Sequence, residues 1–103
     1  MTNEQQNAVN AAWNLFLTAA KKANLPTGLP NENRLCFPDK TNARVWVDLY
    51  LRFDWIGRST TRKPVFDVQS VNQGWSVGQG RTFKHPDKAV AYVLTLLQET
   101  ANA

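Results

Sequence analysis

Apolar residues in the first 23 positions fall at three- and four-residue steps: Val9, Ala12, Trp13, Phe16, Ala20 and Ala23. That period predicts a helix over 3–23 with one buried stripe. Thr2 and Gln5 have the spacing of a capping box, and Lys21 and Lys22 suit the negative end of a helix. Asn24 is a fitting cap residue, and Pro26 forbids continuation.

The period then changes from about 3.6 to two. Between Arg44 and Trp55, Val45, Val47, Leu49, Leu51, Phe53 and Trp55 alternate with Arg44, Trp46, Asp48, Tyr50, Arg52 and Asp54. This is the strongest strand signal in the chain. Gly57 to Lys63 is polar and basic and reads as a hairpin loop. A second strand is expected over Pro64–Val71 and a third over Trp75–Phe83, joined by a turn at Asn72-Gln73-Gly74. Pro86 and Asp87 then open a helix over 86–99, whose stripe is Ala89, Val90, Val93, Leu96 and Leu97. Leu25 to Ala43 is a long connection rich in proline, with room for a short extra strand at Arg34–Phe37.

These elements predict an α+β domain spanning 1–103. It has a three-stranded antiparallel sheet, four-stranded if Arg34–Phe37 pairs, with both helices on one face. The opposite sheet face is expected to stay open.

Composition narrows the function classes. Hydrophobic residues make up 43% and charged residues 19%, which excludes a disordered chain. No apolar run of about 18 residues exists to span a membrane, and MTNEQQNAVN has no secretory pattern. Cys36 is the only cysteine, which fits a reducing compartment such as the cytoplasm. Cys36 and His85 are too few for a Cys/His metal site, and neither lies in a catalytic motif. The expectation is therefore a binding protein with no enzyme activity, no metal and no small-molecule cofactor.

Two surfaces are candidates. Arg44, Trp46, Tyr50 and Arg52 share the polar side of the strongest strand. Aromatic rings interleaved with guanidinium groups suit a protein interface or self-association. They also suit a stacking platform for single-stranded nucleic acid, although Asp48 and Asp54 on that side repel phosphate. Burial under the 25–43 connection is the plain structural alternative. The second surface is basic. Formal net charge is +4, and the half from Trp55 onward holds six basic and three acidic residues. Arg58, Arg62, Lys63, Arg81, Lys84 and Lys88 lie in the hairpin loop and around the start of the last helix, where phosphates are attracted. A protein partner or a second copy is the favoured occupant, with nucleic acid as the alternative. Small cationic chains of this kind also suit accessory factors of phage or mobile elements.

The order helix, three strands, helix, with Gly78-Gln79-Gly80-Arg81-Thr82 before the last helix, resembles the double-stranded RNA-binding domain. The resemblance implies phosphate contact by Lys84 and Lys88. Asp87 between them, a Val/Leu-rich last helix and a hairpin loop without Pro or His depart from that family's pattern.

Overall fold

The computed structural model describes residues 3–38, 45–55, 62–72 and 75–101. The elements run α1 (Asn3–Lys22), β1 (Arg34–Pro38), β2 (Val45–Trp55), β3 (Arg62–Asn72), β4 (Trp75–Phe83) and α2 (Pro86–Ala101). The four strands form one antiparallel sheet in the order β1-β2-β3-β4. The expected α+β class and helix positions hold. The optional strand at Arg34–Phe37 is real, because its backbone pairs along β2 from Arg34↔Tyr50 to Pro38↔Trp46.

One face of the sheet carries the core. Phe16 is fully buried among Phe37, Phe66 and Trp13, with ring centroids 5.6–6.4 Å away. Val47, Leu49, Leu51, Phe66 and Val68 meet the buried stripe of α1 and Ala89, Val90, Val93 and Leu96 of α2. Both amphipathic stripes are thus buried against the same sheet face, and that burial is what fixes the layer.

The first long connection is ordered by backbone bonds at both ends. Asn24 adopts φ 58°, its N–H bonds Lys21 O at 3.2 Å, and the Leu25 N–H bonds Ala20 O at 2.8 Å. This pair of bonds closes the helix in a Schellman motif, with Leu25 buried beside it. Further on, Asn31 and Arg34 exchange two backbone bonds of 2.8 and 2.9 Å around a two-residue turn. Glu32 in that turn sits at φ 54°, and the Trp13 Nε1–H donates to its carbonyl at 2.7 Å. Helix α1 therefore pins the turn that launches β1.

Several boundaries differ from expectation by one or two residues, most of all at β3 and α2. Strand β3 begins at Arg62, so Arg62 and Lys63 are strand residues rather than loop residues. Cross-strand bonding to Trp55 and Asp54 extends the ladder past the polar composition that suggested a loop. Helix α2 runs two residues beyond the expected 99. The turn at Gln73-Gly74 and the loop residues 57–61 lie outside the described residues.

Both sheet edges are blunted. Strand β1 is five residues long and ends at Pro38. On β4 the register shifts between Val68↔Arg81 and Ser70↔Val77, so Gly78, Gln79 and Gly80 all lie opposite Gln69. A bulge of this kind twists an edge away from further strand pairing. A Cβ on Gly80 would stand 3.3 Å from Val68 O, so this close approach suits glycine.

Candidate functional site

The sheet face away from the helices gathers a polar network that alternates in sign. Register places Arg34, Tyr50, Asp67 and Thr82 in one row across the four strands. Arg34 grips Asp48 with both carboxylate oxygens engaged, at 3.0–3.2 Å. The Cys36 thiol donates to the same carboxylate at 3.0 Å. The Arg34 guanidinium also lies 5.6 Å from the centre of the Tyr50 ring. Across the sheet, the Arg52 Nε–H and the Thr82 hydroxyl donate to the two oxygens of Asp67.

These bonds set the electrostatics. The Asp48 hydrogen bond and charge push the Arg34 guanidinium further above its ordinary value. Burial, then the Asp48 bond and charge, push the Cys36 thiol upward, against a smaller opposite effect of Arg34. Cys36 is therefore held as a thiol, the unreactive form.

The four sequence candidates on this face fare differently. Tyr50 is exposed, at 37%. Arg52 is exposed and tied to Asp67. Trp46 is half-buried, and its Nε1 is buried with no acceptor among the described residues. Arg44 lies outside the described residues. The face is also less open than expected. Val65 and Val71, whose register places them on this side, are buried, and Asp48 is only 4% exposed. Asp48 was expected to repel phosphate from an exposed position. It is instead covered and neutralised by Arg34.

Arg34, Asp67 and Thr82 belong to this face although nothing in the sequence marks them as site residues, and Cys36, which the sequence marks only as a lone cysteine, joins them. Their signal was present only as parity. Asp67 falls two residues from Val65 and Gln69, but which strand it faces depends on a register that local sequence does not carry.

The basic candidates are brought partly together. Phe66↔Phe83 is the last pair between β3 and β4; Lys84 follows it directly, and Lys63 lies three residues further along β3, where β3 still pairs with β2. Lys63, Lys84 and Lys88 are all exposed. Arg81 belongs to the helix side of β4, where its guanidinium stacks 5.0 Å from the Tyr92 ring centre. Tyr92 packs in turn on Phe83 at 5.3 Å. Backbone places Arg62 at the same sheet end, and Arg58 lies outside the described residues.

Among the described residues no group of three or more His, Cys, Asp or Glu side chains is arranged to hold a metal ion. No helix among them is long and apolar enough to cross a membrane. No protein-family model, curated protein or solved structure matches the chain. The helix, three strands, helix order that carried the likeness to the double-stranded RNA-binding domain does not hold, since β1 adds a fourth strand.

Proposed function

We propose that this chain is a non-enzymatic binding module that docks a protein partner on its sheet face, around Tyr50, Arg34 and Arg52. The observation that supports this most is the pinning of both arginines. Arg34 and Arg52 side chains are 43% and 45% exposed, yet each is held by a carboxylate. Tyrosine and arginine dominate interface energetics, and a side chain already fixed loses less entropy on binding. Phosphate gains little here, because Asp48 and Asp67 balance the two cations. The blunted edges direct a partner to the face and away from strand addition.

The test is site-specific photocrosslinking in the source cells, with the crosslinking amino acid at Tyr50 or, as control, at exposed Thr95 on α2. A discrete protein adduct from Tyr50 alone, lost on adding Arg52→Glu, is the expected result. Identical adducts from both sites, or none from Tyr50, would overturn the reading.

One observation favours a second reading. Lys63, Lys84 and Lys88 lie at the sheet end where α2 begins, an arrangement that suits nucleic-acid phosphates. Titration with generic duplex RNA and DNA at rising salt decides it. Binding would show log affinity falling linearly with log salt, and Lys84→Ala would lower the slope by about one unit. No binding at about 50 mM salt would remove it.

A further inference from the structure

The solvent side of α1 is as regular as its buried side. Glu4, Ala8, Ala11, Leu15, Thr18 and Lys22 follow one another at steps of four, three, four, three and four, and all are exposed. That alternation is the period of a helix–helix seam. Leu15 within it is 58% exposed, an unusual position for a large apolar side chain on a free surface. Beside the seam, a groove of about 580 Å³ runs between α1 and α2, lined by Leu15, Thr18, Ala19 and Lys22 and by Val90 and Leu94.

We propose that a second copy of this chain occupies this groove, with the two α1 helices antiparallel about a two-fold axis at position 13. The seam is complementary to itself in that register and in no parallel one. Glu4 faces Lys22 of the other copy, twice over. Leu15 faces Ala11, and Thr18 faces Ala8, so the bulky half of each helix meets the narrow half of the other. A parallel arrangement would set Glu4 against Glu4 and Lys22 against Lys22. An isologous contact requires this kind of self-complementarity, and antiparallel packing also sets opposite helix ends side by side. The two sheet faces remain on the outside of such a dimer, so it presents two copies of any surface there.

The seam from Glu4 to Lys22 is roughly 27 Å long at the helical rise. One helix pair with a bordering groove covers less than the roughly 1,200 Å² of a standard stable interface, so the dimer is weak, dissociating at about 10–100 µM. Sedimentation equilibrium of the full chain from about 5 to 500 µM reads it directly. A monomer–dimer equilibrium is expected. Leu15→Lys should weaken it at least about tenfold, and Leu15→Ala less so, with far-UV circular dichroism unchanged for both. Glu4→Lys alone should weaken it, and Glu4→Lys combined with Lys22→Glu should restore it to within about threefold, because the swapped charges pair again. Tyr50→Ala should leave it unaltered.

A monomer throughout the range would overturn the proposal, as would a dimer indifferent to Leu15→Lys. Failure of the double swap to recover association would overturn the antiparallel register. Loss of the dimer with Tyr50→Ala and not with Leu15→Lys would move self-association to the sheet face.

Discussion

Replacing Trp13 with Phe tests how α1 holds the turn that launches β1. The indole is 5% exposed and makes two ring contacts, with Phe16 at 6.1 Å and Phe66 at 6.5 Å. Phenylalanine keeps a ring at that site but loses the N–H that donates to Glu32 O at 2.7 Å. The lost hydrogen bond costs about 1 kcal/mol. The void left by the smaller ring costs roughly another 1 kcal/mol. The sum of about 2 kcal/mol is a large fraction of a small domain's stability and corresponds to a fall in Tm of roughly 8–16 °C. Urea unfolding followed by circular dichroism measures it, with an unchanged m-value as the sign that both end states are preserved. Amide exchange gives the local readout. The N–H of Arg34, bonded to Asn31 O, and that of Leu51, bonded to Asn33 O, should lose more protection than that of Val68 in mid-sheet. A loss below about 0.5 kcal/mol, or equal acceleration at all three amides, would refute the claim that the indole bond anchors the turn.

Three further outcomes are expected. Phe16→Ala removes a fully buried ring from the centre of the aromatic cluster and should cost about 3–5 kcal/mol, seen as a shift of the denaturation midpoint at constant m. Asn24→Ala forces a Cβ residue without a capping amide into φ 58° and should destabilise by about 1 kcal/mol, whereas Asn24→Gly should not; equal losses would argue against the Schellman cap. Cys36 should alkylate with iodoacetamide faster in Asp48→Asn, which removes an influence raising the thiol pKa, and slower in Arg34→Gln, which removes one lowering it. The same raised thiol carries a sign for stability. The unfolded chain ionises first, so the contribution is intact at neutral pH and fades as pH climbs through and beyond the ordinary value of 9.0. Urea midpoints compared between pH 7 and 10 should therefore fall more in the natural chain than in Cys36→Ser.

By itself the sequence determined the elements and their buried sides. The stripe from Val9 to Ala20 and the alternation from Val47 to Leu51 are local periodicities, and a helix or strand needs only its own residues to display them. Asn24 and Pro26 marked the end of α1 for the same reason, since capping involves neighbours within one turn. What only the tertiary structure decided are relations between segments far apart in the chain. Arg34 reaches Asp48 across 14 positions, and Arg52 reaches Asp67 across 15. Asp48 on its own strand looks like an exposed polar residue, and only the pairing of β1 covers it with Arg34 and Cys36. The parity of Arg81 with Phe83 is local, yet only the packing of α2 on that side sets the guanidinium over Tyr92. Cross-strand register determined the contacts of Asp48 and Asp67. It is set by the summed burial and hydrogen bonding of whole strands, a quantity that no short window of sequence contains.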